Sequence, residues 1–173
     1  MDTLYLKHIV TSDPKLNKIF LGVFPSDRLP ITIESYPAAL IANVDTHDKS
    51  GSHWVAFYFN KSRQGEFFDS YGRHPARCSP LFETFLKKFS VTWTYNKKSL
   101  QSFWSTVCGQ YCLYYLLRRA RRNSMASIIS TFNHNRTQND KKVHASIRLR
   151  CQKHKAPIHD SRFILKQIAK SLN

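Results

Sequence analysis

The sequence lacks a disulfide framework, a secretion signal and any apolar run long enough to cross a bilayer. Its four cysteines among 173 residues form no CxxC pair, which favours a reduced, intracellular protein. The first residues, MDTLYLKHIVTSD, show no signal-peptide pattern. Cys151 and His154 are three residues apart, with no second close pair to complete a metal site. We therefore expect neither a bound metal nor a membrane partner.

Acidic residues are also scarce. The chain has 11 Asp and Glu against 27 Lys and Arg, a net charge of +16. Residues 118–173 carry 14 of the basic residues and 2 of the acidic ones, which amounts to +12. Such self-repulsion adds nothing to the stability of a monomer, so this region is a candidate surface for a polyanion such as DNA. The alternative is a solvated basic surface. The candidate DNA contacts are Arg118, Arg119, Arg121, Arg122, Lys141, Lys142, Arg148 and Arg150.

No repeat, low-complexity segment or linker divides the chain, so residues 1–173 are expected to form one domain. Apolar runs and alternation predict strands at 38–44, 53–60, 66–72 and 90–96, with a hairpin turn at 61–65. Helical spacing and Pro-containing caps predict helices at 14–20, 80–89, 105–121, 125–132, 137–154 and 160–172. This order indicates an α+β fold with a mostly antiparallel sheet, a central helix and a helical, basic C-terminal part.

The stretch SLQSFWSTVCGQYCLYYLLRRARR (99–122) is the one around which the chain is organised. Ser105 or Thr106 is a suitable N-cap, which predicts a helix with Cys108 in its first turn. The free N–H groups and the positive dipole end of that turn favour the thiolate, the nucleophilic form of cysteine. The alternative is a buried core cysteine, which this stretch alone favours because free cysteines are usually buried.

A cysteine nucleophile needs a base, a group that orients the base, and donors for the developing oxyanion. His53 opens one apolar strand and Asp69 ends the next, so a hairpin brings both to the same end. Asp69 can then hold one imidazole nitrogen and leave the other to Cys108. Gln101, seven residues before Cys108, can donate its amide to an oxyanion beside the backbone N–H of Cys108. Each residue alone is commonplace, and their joint order indicates catalysis.

These residues lie in segments that resemble the adenovirus protease (adenain) family of cysteine endopeptidases, in a viral or transposon-borne form. The similar segments are IFLGVFPSDRLP, ALIANVDTHDKSGSHWVAFYFN, EFFDSYG and LQSFWSTVCGQYC, which together span about residues 19–117. The resemblance implies a mixed sheet between helices, with His53 as catalytic base, Cys108 as nucleophile and Gln101 in the oxyanion hole. Asp69 stands where these proteases usually carry Glu and their relatives often carry Asp.

The resemblance also implies a function and partners. Such proteases mature viral structural precursors during virion maturation, often at Gly-Gly or Gly-X sites, in the host nucleus and the virion. They are activated by DNA and by a short peptide held through a disulfide. The cysteine for that disulfide would fall near Ser90, but none lies between Cys78 and Cys108. A covalent link is therefore not expected, while noncovalent binding of a peptide stays open. We expect a monomer without a small-molecule cofactor.

Two other functions stay open at this point. The same triad serves proteases that remove ubiquitin-like modifiers, and only the substrate separates the two. The other is a non-catalytic, basic nucleic-acid-binding virion protein, which the basic helices favour and the ordered catalytic residues do not. A thiol probe near neutral pH would separate it from an enzyme, because an inert core cysteine would not react.

Overall fold

The computed structural model describes residues 3–153. Its helices are α1 Thr3–Thr11, α2 Pro14–Asn17, α3 Pro75–Cys78, α4 Pro80–Phe89, α5 Cys108–Arg119, α6 Met125–Ser130 and α7 Arg136–Lys153. Its strands are β1 Phe20–Phe24, β2 Ala38–Asn43, β3 Trp54–Phe59, β4 Gln64–Phe68 and β5 Thr92–Tyr95. Within this range, no helix has the length and apolar character needed to cross a bilayer. The helix predicted at 160–172 lies outside the described residues.

The five strands form one mixed sheet in the order β1-β2-β3-β4-β5. β3 pairs antiparallel with β2 and with β4, while the outer pairs β1–β2 and β4–β5 are parallel. The parallel pairing of β5 is possible because α3 and α4 carry the chain back between the two strands. The α+β class is therefore confirmed, and the predicted antiparallel character belongs to the three central strands.

Helices cover both faces of the sheet. Because side chains alternate along a strand, Ile41 and Tyr58 pack into a core with α1, α5 and α7, whereas Leu40 and Phe57 pack into a second core with α4. All six residues of β2 are buried for this reason. The sheet is the middle layer of three, and its strand ends are the places where functional side chains can reach solvent.

Helix α5 is fastened to the sheet along its length. The ring of Tyr115 stacks on Phe68 of β4, with centroids 4.4 Å apart. Near the C-terminal end of α5, Nε of Arg119 lies 2.7 Å from a carboxylate oxygen of Glu66, and both side chains are largely buried. These contacts fix the direction of α5, and with it the position of Cys108 at its start.

The N-terminal segment differs from the prediction. Asp13 does cap a helix by accepting a hydrogen bond from the N–H of Leu16 (3.1 Å), but that helix ends at Asn17. The predicted continuation to Phe20 is wrong, because residues 20–24 pair with β2 as strand β1. Gly22, with φ of 144°, is a residue of that strand at a register irregularity. The short helices α1 and α3 were not predicted.

The start of α5, the helix that carries Cys108, also differs from the prediction in detail. Val107 is the N-cap of α5 and makes no side-chain capping bond, so neither Ser105 nor Thr106 has the predicted role. The carbonyl of Ser105 instead accepts a hydrogen bond from Nε2 of Gln101 at 2.6 Å, which holds the loop in another conformation. Cys108 is the first helical residue, as its predicted place in the first turn requires.

Candidate active site

His53 and Asp69 meet at one end of the β3–β4 hairpin. His53 precedes β3 and Asp69 follows β4, and the register pairs Ala56 with Phe68. Nε2 of His53 donates to Oδ1 of Asp69 at 2.6 Å. His53 is 7% exposed and Asp69 is fully buried. The hairpin geometry inferred from the spacing of the two strands thus brings the two side chains into direct contact.

The Asp69 carboxylate is held by several donors. Oδ2 accepts from Nε of Arg73 at 2.8 Å and from the Arg73 N–H at 3.0 Å, and Oδ1 accepts from the N–H of Tyr71 at 3.2 Å. The amide of Asn96 bonds both the N–H and the carbonyl of Asp69, at 2.9 and 2.8 Å. Burial alone would raise the pKa of Asp69, but the hydrogen bonds from His53 and Arg73 outweigh it and lower the pKa to about 2. The residue is therefore an anion over the whole physiological range.

Cys108 completes the arrangement on the other side of His53. Since Nε2 of His53 bonds Asp69, Nδ1 is the nitrogen left for the thiol, and the two side chains are hydrogen-bonded. The backbone N–H groups of Trp54 and Gly109 also donate to the sulfur. Burial raises the pKa of Cys108, but the hydrogen bond and positive charge of His53, with these N–H groups, bring it below its ordinary value.

The pKa of His53, the predicted base, is shifted in the opposite direction to that of Cys108. Burial would lower the pKa of His53, but its hydrogen bonds to Asp69 and Cys108 and the charges of both raise it above the ordinary value. The ring of Tyr71 stacks on the imidazole at a centroid distance of 5.0 Å and covers one of its faces. A lowered thiol pKa next to a raised imidazole pKa favours a thiolate–imidazolium pair, which is an activated nucleophile with its acid already in place.

Two other cysteines, Cys112 and Cys78, have the opposite character. Complete burial raises the pKa of Cys112 well above its ordinary value. Burial, followed by the nearby charge of Asp69, raises the pKa of Cys78 to about 12. Of these three cysteines, Cys108 is the one whose environment favours the thiolate, which is why a core-cysteine interpretation does not suit it.

Gln101 is buried and its amide is fixed at both ends. Its Oε1 accepts from Oγ of Ser70 at 2.7 Å, and its Nε2 donates to the carbonyl of Ser105 at 2.6 Å. The primary amide has a second N–H hydrogen, which these bonds leave for another acceptor. The structure therefore places the predicted oxyanion donor in a rigid orientation on the loop that leads to Cys108.

Helix α7 holds the backbone on both sides of Gln101. Nδ2 of Asn139 donates to the carbonyl of Leu100 at 3.2 Å, and the N–H of Ser102 donates to Oδ2 of Asp140 at 3.3 Å. The Ser102 hydroxyl makes a further short bond to the same carboxylate oxygen. The loop that carries Gln101, the predicted oxyanion loop, is thus held by a helix that lies about 40 residues later in the chain.

Sequence reasoning missed the residues that support the predicted site. Arg73 orients Asp69 from four residues away, Tyr71 covers His53, and Asn96 and Asp140 anchor the surrounding loops. The spacing of Asp69 and Arg73 is the one signal that the sequence offered, since opposite charges four apart in a turn can pair. Nothing local marks Asn96 or Asp140, because their partners are distant in sequence.

The predicted DNA contacts differ in how exposed and how free of ion pairs they are. Arg119 is buried between Glu66 and the ring of Tyr58, so its selection as a phosphate contact is corrected. Two further candidates, Arg121 and Arg150, bond the Asp13 carboxylate at 2.5 and 2.8 Å, which neutralises part of their charge. Arg118 is half-buried over an aromatic ring. The exposed candidates for which no ion pair is seen in the described residues are Arg122, Lys141, Lys142 and Arg148.

In residues 3–153 there is no group of three or more His, Cys, Asp or Glu side chains that could hold a metal ion. The chemistry available here is that of a cysteine, a histidine and a carboxylate in hydrogen-bonded sequence. Together with a mixed sheet between helices, this arrangement agrees with the resemblance to adenain-like cysteine proteases.

Comparison with known proteins supports this class. No family model matches the chain. Among curated proteins, it is similar to a protein named Protease from Bovine adenovirus C serotype 10, with 26% identity over 123 residues. The match covers 64% of this chain and 62% of the adenovirus protein. The chain therefore spans less than two thirds of the length of this curated relative.

Solved structures include similar folds. ChlaDub1 from Chlamydia trachomatis aligns with a TM-score of 0.51 and 13% identity, over 92% of this chain and 82% of that one. The ASFV pS273R protease aligns with a TM-score of 0.40 and 24% identity, over 61% of this chain and 43% of that one. The adenovirus match confirms the resemblance drawn from the sequence, and the ChlaDub1 alignment confirms the fold.

Proposed function

We propose that this chain is a cysteine endopeptidase. The observation that carries the proposal is the hydrogen-bonded series Cys108–His53–Asp69, in which the thiol pKa is lowered and the imidazole pKa is raised. These opposite shifts are what nucleophilic catalysis requires of its nucleophile and base. A non-catalytic protein has no need for them, because each ionised group costs desolvation energy when it is buried.

The geometry supports a two-step hydrolysis. The Cys108 thiolate attacks the carbonyl carbon of the scissile peptide, and the oxyanion that forms is held by the Gln101 amide and the Cys108 N–H. His53 gives its proton to the leaving amine as the C–N bond breaks, which leaves a thioester on Cys108. The same imidazole then takes a proton from water, whose oxygen attacks the thioester and releases the carboxylate product and the thiolate. Asp69 keeps the ring in the orientation that both steps need.

We further propose that the substrates are viral structural precursors, cleaved near Gly-Gly or Gly-X sequences during virion maturation in the host nucleus and the virion. The likeness to an adenovirus protease supports this substrate class. An open cleft of about 710 Å³ beside the start of β3 offers room for an extended polypeptide. Trp54, Asn43 and Gly51 are among its lining residues.

DNA is the proposed activator, and its support is the charge of the chain. The net charge of +16 includes four exposed candidates on the α5–α6 connection and on α7, namely Arg122, Lys141, Lys142 and Arg148. A duplex would bind by neutralising phosphates, with little sequence preference and a steep dependence on salt. Asn139 and Asp140 of α7 also hold the loop that carries Gln101. A ligand bound to this helix would therefore contact the element that positions the predicted oxyanion donor. Noncovalent binding of an activating peptide is a separate proposal.

The deciding experiment measures cleavage of a fluorogenic Leu-X-Gly-Gly peptide, with and without duplex DNA. We expect the wild type to turn over, with a higher rate in DNA, and Cys108→Ala to be inactive. Cys112→Ala is the matched control, because it removes a buried thiol one turn further along the same helix and should retain turnover. Cleavage by Cys108→Ala would refute the nucleophile.

Two alternatives have distinct outcomes in the same series. Faster cleavage of ubiquitin-like-modifier conjugates than of capsid-type precursors would identify a modifier protease. Salt-sensitive DNA binding without cleavage, together with a Cys108 thiol that does not react near neutral pH, would identify a non-catalytic nucleic-acid-binding protein.

A further inference from the structure

Phe103 and Trp104 are the only exposed Phe, Tyr or Trp side chains in residues 3–153, at 74% and 90% exposure. Their rings meet edge to face, with centroids 4.8 Å apart and an interplanar angle of 89°. Leaving two large rings in water forgoes the stabilisation that burial would give them. We refer to these two side chains as the aromatic pair, which forms a preformed apolar surface.

The aromatic pair lies on the catalytic loop itself, between Gln101 and Cys108. On one side, the Phe103 carbonyl accepts a hydrogen bond from the Tyr71 hydroxyl at 3.4 Å, and the Tyr71 ring stacks on His53. On the other side, the Gln101 amide holds the carbonyl of Ser105. The backbone beneath the pair is therefore attached to the group that stacks on the base and to the predicted oxyanion donor.

This position indicates which half of a substrate would meet the aromatic pair. The leaving amine receives its proton from His53, so the peptide that follows the scissile bond must pass close to that imidazole. Tyr71 covers one face of the imidazole and reaches Phe103. The pair thus lies on the side of the catalytic groups from which the leaving amine would depart.

We propose that the aromatic pair binds an apolar side chain of the polypeptide substrate on the leaving-group side of the scissile bond. The proposal rests on the proposed proteolytic function. Residues 99–107, which carry the pair, include no charged side chain, so this surface suits an apolar segment and lacks the cations that a nucleic acid would need. The contact would set substrate preference, because binding energy there acts on the same polypeptide that the thiolate attacks.

The test uses peptides that differ only in the first two positions after the scissile bond, with Leu, Phe or Ala at each. We expect the wild type to favour Leu or Phe over Ala by about tenfold or more in kcat/KM, the discrimination that apolar pockets provide. In the double variant Phe103→Ala, Trp104→Ala, the preference should fall to about twofold or less, with the loss concentrated on the apolar peptides. Both side chains are exposed, so the variant should fold.

Val91→Ala is the matched control. Val91 is 74% exposed, as Phe103 is, but it lies near the β3–β4 turn, where its N–H donates to the carbonyl of Arg63. This variant should keep the full preference. A second readout is the rate at which iodoacetamide alkylates Cys108, which a docking role leaves unchanged and a purely structural role of the loop would alter.

The outcomes separate this inference from the function on which it depends. An active wild type without the preference, or a double variant that retains it, would overturn the inference and leave the protease assignment standing. Slower alkylation of Cys108 in the double variant would show that the pair shapes the loop, which also overturns docking. A wild type that neither cleaves peptides nor reacts with iodoacetamide would overturn the proteolytic function itself.

Discussion

The substitution Asp69→Asn tests the electrostatic basis of the site, because it removes one buried charge with little change in shape. Oδ1 of Asp69 lies 2.6 Å from Nε2 of His53, which places the two charge centres about 4 Å apart. At an effective dielectric constant near 20, unit charges at that distance attract by about 4 kcal/mol. The Asn oxygen still accepts a hydrogen bond but carries no charge, so we expect the pKa of His53 to fall.

The sign of the effect on Cys108 follows from the coupling between the two groups. A protonated His53 stabilises the thiolate, so a lower pKa of His53 leaves the thiol protonated up to a higher pH. The pH profile of Cys108 alkylation by iodoacetamide, measured from pH 4 to 10, should shift to higher pH. Peptide turnover near neutral pH should fall by about 10²-fold or more, the usual contribution of general acid–base catalysis.

The exposed pair His47–Asp27 provides the control for this measurement. Its Nδ1–Oδ2 distance is also 2.6 Å, but its side chains are 47% and 25% exposed, so solvent screens the pair. Asp27→Asn should leave the alkylation profile of Cys108 unchanged. If Asp69→Asn, folded by circular dichroism, also leaves that profile unchanged, the carboxylate does not set the ionisation of the pair and our reasoning about the triad is refuted.

Four further predictions concern the loop, the basic helices and stability. Gln101→Ala should lower kcat by about 10²–10³-fold while the alkylation profile of Cys108 stays the same; undiminished turnover would exclude an oxyanion role. Asp140→Ala should lower kcat about tenfold or more by releasing the loop beside Gln101, without slowing alkylation; an unchanged kcat would show that the clamp is dispensable. Arg119→Met should destabilise the protein by about 3 kcal/mol in urea because it leaves the largely buried Glu66 carboxylate without its cationic partner, whereas Arg148→Met, on an exposed part of α7, should change stability by less than about 0.5 kcal/mol; equal urea midpoints would contradict this difference. Asp69, whose pKa of about 2 is below the ordinary 3.8, should contribute about 2 kcal/mol above pH 4 that is lost as pH falls toward 2; urea titrations of wild type and Asp69→Asn with the same acid dependence would argue against it.

Local patterns were enough to predict most of the backbone elements that position the site. The alternation of HWVAFYFN and the run EFFDSYG predicted two antiparallel strands, and the short turn between them put His53 and Asp69 at one end. The helical run after Cys108 predicted that the thiol lies in the first turn of a buried helix. These features depend on neighbours in sequence, where side-chain periodicity and turn length are decisive.

Other predictions failed where a distant partner overrides a local preference. Residues 20–24 form β1 because β2 supplies hydrogen-bond partners, although the preceding Asp13-Pro14 favours a helix. Arg119 has the same sequence character as its exposed neighbour Arg122, yet it is buried because Glu66 of β4 lies opposite. Charge counts alone do not distinguish the two.

The sequence by itself determined the identity and order of His53, Asp69, Gln101 and Cys108, the α+β class, and the excess of positive charge in the last third. The tertiary structure alone decided what surrounds those residues: the Arg73 and Asn96 contacts to Asp69, the Tyr71 stack on His53, and the clamp of α7 on the oxyanion loop. The physical reason is the distance along the chain between the residues that determine each feature. Strand alternation and helix starts are set within a few residues, whereas a buried charge is satisfied by groups that folding brings together from anywhere in the chain, as when Arg150 reaches Asp13 across 137 residues.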